Sequence, residues 1–377
     1  MKKIFFHIGN FKTGTSSIQA AFSQQSVELE GRGVYYFQNF RATNNPTNHS
    51  LFALEMLAST SGDAIKPFWY QESHHYPTLV DQLVDEVLGS TCDVFVFSSE
   101  EFCRCTLAHA GLLATLRQRL KEAIPDCEII VLLFVRHPFD FVKSWYNQIN
   151  KVTAPYADRT ANFLQFFLSR ETSFWSQYPI HQIFLEHFAD QSLCAFYSKG
   201  VDSIPLFCSM LNRYGCGLDL SSFDSARENI AKVRTDHVEL LRLVHRSVSF
   251  DAATLSRALS IPGMVGKINQ INQDFEQFLA DGVLHNPPDI YQSLTFADVF
   301  EHYTELLDAL VPYALINQKE INLLRDKAIK HQHDFPSEAL ICLQTAQRYR
   351  PNGPLMKKLI QDLKAQIQSG EAEWMRG

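Results

Sequence analysis

The sequence predicts an α/β protein: a three-layer fold with a central parallel sheet of about five strands, followed by a helical C-terminal region. Apolar runs of strand length recur at 4–8, 34–37, 94–97, 129–135 and 193–197, with amphipathic helical patterns between them. Continuous apolar strands are buried on both faces, which a parallel sheet with helical crossovers provides. After about residue 230 the strand pattern stops and only helical periodicity is left.

The first run, Ile4-Phe5-Phe6-His7-Ile8, meets Gly9 and then Asn10-Phe11-Lys12-Thr13-Gly14-Thr15-Ser16-Ser17, which leads into a helical pattern. A strand feeding a glycine-containing loop that opens a helix suits a phosphate, because loop N–H groups and the positive helix end converge on the anion. The spacing Gly9-x4-Gly14 is that of a Walker A loop, but Thr15 stands where an ATPase carries lysine, and the lysine is at 12. Segment 78–88 sets Leu79, Leu83 and Val87 on one helical face, and 111–123 does the same with Leu112, Leu113, Leu116 and Leu120. The strand 94–97 ends in Ser98-Ser99-Glu100-Glu101. The run 127–135 ends in Arg136-His137-Pro138, and proline suits the first turn of the helix expected over 139–148. Gly9, Ser98 and Arg136 each follow a strand directly, so they should gather on the carboxyl rim of the sheet, where open α/β sheets bind ligands.

The loop 10–17 resembles the 5′-phosphosulfate-binding loop of sulfotransferases that use 3′-phosphoadenosine-5′-phosphosulfate (PAPS). The family pattern is Pro-Lys-Thr/Ser-Gly-Thr-Thr/Ser; Phe11 replaces the proline, which removes a fixed φ but no phosphate-binding group. Arg136 with Ser144 eight residues on resembles the family's 3′-phosphate motif; an arginine fork matches phosphate geometry and a serine hydroxyl adds a donor. The resemblance is to bacterial and glycan-type members and covers about 1–245. It implies a P-loop-type fold, PAPS as donor and no metal requirement. Lys12 would be catalytic, near the bridging oxygen, while Thr13, Gly14, Thr15, Ser16 and Ser17 would offer amides and hydroxyls to the 5′-phosphate. Arg136 and Ser144 would hold the 3′-phosphate, with the Lys12 and Arg136 groups about a nucleotide's length apart.

For the base that takes the acceptor's proton, Ser98-Ser99-Glu100-Glu101 resembles a Ser-Glu element of the family, which makes Glu100 the first candidate. One of the two glutamates is expected to be only solvated. His49 is the second candidate, since some members use histidine and its ordinary pKa suits the task. His7, within the first strand, reads as a buried, hydrogen-bonded histidine. Arg227 and Asn229 resemble the family's Arg-x-Asn segment near the nucleotide. The resemblance implies an acceptor hydroxyl on a carbohydrate or glycolipid, with a small phenol, lipid or peptide as alternatives. Loops 38–77 and 150–180 should shape its pocket, with Trp69, Tyr70, Tyr76, Tyr156 and Trp175 able to stack on sugar rings. Two other readings stand beside this one: a P-loop kinase-like nucleotide-binding enzyme, disfavoured by the missing Gly-Lys-Ser/Thr, and a non-catalytic scaffold that keeps a vestigial fold.

The formal net charge of −7 over 377 residues argues against a general nucleic-acid or anionic-membrane binder. Eight cysteines show neither Cys-x2-Cys pairs nor zinc-finger spacing, so free thiols and no metal site are expected. The longest apolar run, 129–135, is far short of a membrane span. A first strand at Ile4 leaves no room for a signal peptide, and the expected location is the cytoplasm. The expected division is a PAPS-binding domain at 1–245, a helical extension at 246–315 and a C-terminal helical hairpin at 316–377. Helices are expected at 235–246, 252–260, 265–280 and 300–310, with a break at His285-Asn286-Pro287-Pro288. In the tail, Ala339, Ala346 and Pro351 keep the spacing of one tetratricopeptide-repeat unit, whereas stable arrays need about three. The tail is therefore either packing for the catalytic domain or a site for a protein partner.

Overall fold

The computed structural model describes residues 1–151, 161–198, 200–218, 238–239, 242, 260–288, 291–351 and 354–374. Five strands, β1 (Lys3–His7), β2 (Val34–Tyr36), β3 (Val94–Ser98), β4 (Glu128–Arg136) and β5 (Gln191–Tyr197), form one parallel sheet in the order β2-β3-β1-β4-β5. Each lies on one of the five apolar runs. The helices, in chain order, are α1 (Thr15–Gln24), α2 (Ser26–Gly31), α3 (Ser50–Ser61), α4 (Tyr76–Gly89), α5 (Ala110–Ala123), α6 (Pro138–Lys151), α7 (Phe163–Ser169), α8 (Thr172–Ser176), α9 (Tyr178–His187), α10 (Ser203–Asn212), α11 (Ile261–Ala280), α12 (Phe296–Asp308), α13 (Gln318–His331), α14 (Pro336–Arg348) and α15 (Pro354–Trp374).

Alternation along the strands builds two cores. Ile4, Phe6, Ile129, Val131, Leu133 and Val135 pack with α3, α4, α5 and α9 on one face of the sheet. Phe5, Ile130, Leu132 and Phe134 pack with α1, α2 and α10 on the other. The handedness of parallel crossovers decides which helix goes where. The chain steps from β1 past β3 to β2 in one direction, then from β2 through β3, β4 and β5 in the other, so α1 and α2 lie on the face opposite α3, α4, α5 and α9. The segments leaving β1 and β3 thus depart toward opposite faces, and this topological switch is where a crevice opens at the carboxyl edge.

The edge of β5 is covered by chain from beyond α11. Cys194 N–H donates to Val283 O at 3.3 Å and His285 N–H to Cys194 O at 2.7 Å. The Asn286 side chain then pairs with both backbone groups of Phe196, at 2.7 and 2.8 Å. The break expected at 285–288 therefore also closes an open sheet edge.

The chain divides into two compact units that are not serial in sequence. The first, Met1–Phe141 with Ser173–Ala231 and Gln273–Tyr291, holds the sheet; the second takes Val142–Thr172, Lys232–Asn272 and Gln292–Gly377. In the second unit the tail is three helices, α13, α14 and α15, where the sequence reading expected a two-helix hairpin. The chain turns after α14 and Pro354 starts another helix, as proline can at a first helical position. Ala339 and Ala346 of α14 are fully buried, so their small side chains serve the packing of this helix layer. The same unit buries Arg242, which donates through Nε to Glu239 at 2.7 Å and lies 3.6 Å from Glu320. Among the described residues, no helix is long and apolar enough to cross a membrane. All eight cysteines are free, and seven are buried.

Candidate functional site

The loop between β1 and α1 takes its shape from three residues with left-handed backbone: Gly9 (φ 105°), Lys12 (φ 63°) and Gly14 (φ 78°). Both glycines are also required by close approach. A Cβ on Gly9 would stand 3.0 Å from Glu100 Cα, and one on Gly14 would stand 2.5 Å from Ser203 Oγ. Thr13, buried, donates its hydroxyl hydrogen to Asn10 O at 2.6 Å, and Asn10 Oδ1 accepts from Phe11 N–H at 2.6 Å. The Thr13 hydroxyl thus braces the loop from within, which leaves this residue its amide but not the hydroxyl donor expected of it. Gly14 is the N-cap of α1, and no side chain caps that helix. The first-turn N–H groups of Thr15 and Ser16 therefore point where an anion would sit. Ser17 N–H turns back to Gly14 O at 3.1 Å. Thr15 is buried, Ser17 half-buried and Ser16 exposed.

Arg136 ends β4. Its neighbour in β1 gives out early, because His7 pairs with Leu132, four residues before Arg136 and about 13 Å along the strand. The arginine therefore stands past the end of β1, beside the loop. Its Nη1 donates to Lys12 O at 2.8 Å. Gln177, buried and itself left-handed (φ 66°), accepts from Arg136 N–H at 3.2 Å and donates to Arg136 O at 3.0 Å. Arg136 Nε is buried without a hydrogen-bond partner. Burial pulls the guanidinium pKa down, opposed by the charge of Asp140. The guanidinium thus touches the loop backbone directly. Ser144, further along α6, falls in the second unit. Arg227 and Asn229 lie outside the described residues.

Glu100 opens the turn after β3, where its Oε2 accepts from Gln19 Nε2 at 2.8 Å and from Asn48 Nδ2 at 2.7 Å. Gln19 Nε2 also reaches Ser98 Oγ at 3.3 Å, and Ser98 Oγ bonds His7 Nδ1 at 2.8 Å. Burial lowers the His7 pKa to about 3, so its ring is neutral. Glu101 is the buried glutamate of the pair, not a solvated one. Arg104 bonds it at 3.1 Å, and burial raises its pKa to about 7.

His49 is not placed to act as a base. Its Nδ1 accepts from Ser98 N–H at 2.8 Å, so its Nε2–H donates to Phe37 O, at 2.7 Å. Both ring nitrogens are spent on backbone, and burial lowers its pKa to about 3. The cause is strand length. Because β2 stops at Tyr36, the edge groups of Ser98 find no strand partner there, and His49 supplies one with its ring and with its own N–H, which donates to Ser98 O at 3.0 Å.

Most aromatics expected in an acceptor pocket are core. Trp175 is fully buried, Tyr76 is buried, and Tyr70 donates to Glu55 at 2.6 Å inside the first unit. Trp69 is partly buried against the same core, and Tyr156 lies outside the described residues. Gln19, Gln177 and Ser203 were not legible as site residues. The one available signal was Gln19, a polar residue on the core-facing stripe of α1 with Thr15, Ile18 and Phe22. The site as built joins the loop that carries Lys12, one arginine and one clamped carboxylate at adjacent strand ends. No protein-family model matches the chain, and no curated protein is found to be similar to it.

Proposed function

We propose that this protein transfers a sulfuryl group from PAPS to an acceptor hydroxyl, with a sugar hydroxyl of a glycan or glycolipid as the acceptor class. The observation that carries the reading is the convergence of Lys12, Glu100 and Arg136 on one loop at the switch point of the sheet, with Arg136 bonded to Lys12 O at 2.8 Å. The donor fits what is there. The α1 N-terminus has no side-chain cap, and Arg136 Nε and Asn10 Nδ2 are buried donors without partners.

Bound PAPS supplies the sulfuryl group together with a phosphate leaving group. Glu100 takes the proton of the acceptor hydroxyl as its oxygen bonds to sulfur. Lys12, on the same loop, is assigned to the negative charge that grows on the phosphate oxygen as the sulfur–oxygen bond breaks. Loop amides and Arg136 hold the phosphates in place, so positioning and charge neutralisation account for most of the rate. The same reading puts the protein in the cytoplasm, a placement supported by its free cysteines.

Calorimetric titration with adenosine 3′,5′-bisphosphate and, separately, with ATP and magnesium tests the donor. Binding of the bisphosphate, followed by transfer of labelled sulfate from PAPS to a glycan panel, is the expected result. Magnesium-dependent ATP binding without bisphosphate binding would favour the kinase-like reading instead.

A further inference from the structure

Gln19 lies on the face of α1 that packs against the sheet, where Ile18, Ala21 and Phe22 are apolar. A buried amide in such a place costs stability unless its groups are bonded. Its Nε2 is bonded, and specifically to the end of β3: Ser98 Oγ at 3.3 Å and Glu100 Oε2 at 2.8 Å. Asn48, also buried, reaches the same oxygen from the opposite side of the chain order, at 2.7 Å. His49, next in sequence, locks Asn48 there by bonding both backbone groups of Ser98. Among the described residues, no bond to Glu100 Oε1 accompanies these two. A carboxylate fixed through one oxygen has a defined plane and leaves the other oxygen for a substrate proton.

From this geometry we infer that Gln19 and Asn48 are positioning residues that clamp Glu100 through Oε2 and so aim Oε1 at the acceptor hydroxyl. The role of Glu100 rests on the sulfotransferase reading; the clamp itself does not. The inference also gives the buried histidines a purpose. His49 seats Asn48, and His7 with Ser98 seats Gln19 through the chain His7 Nδ1, Ser98 Oγ, Gln19 Nε2, Glu100 Oε2. The base is thereby held by groups from α1, from the segment before α3 and from β3. Catalytic geometry is sensitive at this scale, since a misplacement of about 1 Å can cost about 10²-fold in rate.

The test uses Gln19→Met and Asn48→Leu, which keep volume and remove the donors, singly and together. In a crystal structure of the double variant, the Glu100 carboxylate should leave its present position while the 9–14 loop and Arg136 stay in place. With PAPS and a set of methyl glycosides, each single variant should lose about 10²-fold in kcat, with the affinity for adenosine 3′,5′-bisphosphate held within about two-fold. An unmoved Glu100 in the double variant, or an unchanged kcat in both single variants, overturns the clamp. Should one variant fail to fold, the other gives the same readouts. If the wild-type protein binds no bisphosphate, the donor reading fails while the crystal structure still decides the clamp.

Discussion

The guanidinium of Arg136 donates to the carbonyl of Lys12 at 2.8 Å, tying the end of β4 to a loop residue held at φ 63°. A left-handed conformation in a residue other than glycine costs of order 1–3 kcal/mol and persists only where surrounding contacts over-determine it. Arg136 is one of those contacts. It therefore has two tasks in the proposed site, shaping the loop and meeting a phosphate.

Arg136→Ala should weaken adenosine 3′,5′-bisphosphate binding by one to two decades, corresponding to loss of a charged hydrogen-bonded contact of about 1.5–3 kcal/mol. Arg136→Lys should recover only part of it, because an ammonium lacks the planar fork. Calorimetry decides; an unchanged dissociation constant in Arg136→Ala removes the residue from the site.

Glu100→Gln keeps the shape and the hydrogen-bonding capacity but not the basicity, so turnover should fall by about 10²–10⁴ with donor affinity intact. His49→Gln should act on the fold instead, since the ring it replaces makes two buried bonds to backbone. The expected signature is a lowered melting temperature. A His49 variant that melts normally yet loses turnover would return the base to that residue.

Acid should destabilise the protein through its buried histidines. His7 and His49 have folded pKa values lowered to about 3, and His181 to about 4, against 6.5 when exposed. The unfolded chain therefore binds more protons below 6.5: stability is fully present above that pH and is lost as pH falls toward 3. Each histidine contributes a slope of about 1.4 kcal/mol per pH unit at most within that window. Glu101 runs the other way. Its pKa is raised from 4.5 to about 7, so its contribution is fully present below 4.5 and lost as pH rises through 7. The histidines outnumber it, and the urea midpoint should drop steadily from pH 7 to pH 5. A midpoint that rises over this range contradicts the buried neutral imidazoles.

Gly14→Ala sets a Cβ 2.5 Å from Ser203 Oγ and 2.6 Å from Ser203 Cβ, on a backbone with φ 78°. Overpacking of this kind costs about 1–3 kcal/mol in addition to the backbone strain. Gly33→Ala is the control, because its φ is 80° with nothing within 4 Å of the new methyl. Thermal melts should rank Gly14→Ala as the more destabilised, and Ser203→Gly should recover the steric part in the Gly14→Ala background. Equal losses at the two glycines would mean that the contact with Ser203 is soft.

The fold was legible because its signals are local. Continuous apolar character in five runs, helical periodicity between them and turn chemistry at their ends depend on residues close in sequence, so each strand lies within a residue or two of its run. The rim was legible for the same reason. In a parallel sheet every strand points the same way, and whatever follows a strand arrives at one edge, which brings Gly9, Ser98 and Arg136 together without knowledge of strand order. The three-helix tail differs from the expected hairpin because Pro351 has the spacing of a repeat's closing proline, whereas the chain restarts a helix at Pro354.

The sequence by itself determined the strands, the loop at 9–14 and the arginine after β4. Only the tertiary structure decided what the polar residues around them do. That β1 lies between β3 and β4, and that β2 stops one turn of pleat short of Ser98, is set by packing of distant segments. Those two facts spend both nitrogens of His49 on backbone and bring Gln19 and Asn48 to a single oxygen of Glu100. A side chain's hydrogen-bond partners follow from register and strand order, and neither is written in the spacing of residues along the chain.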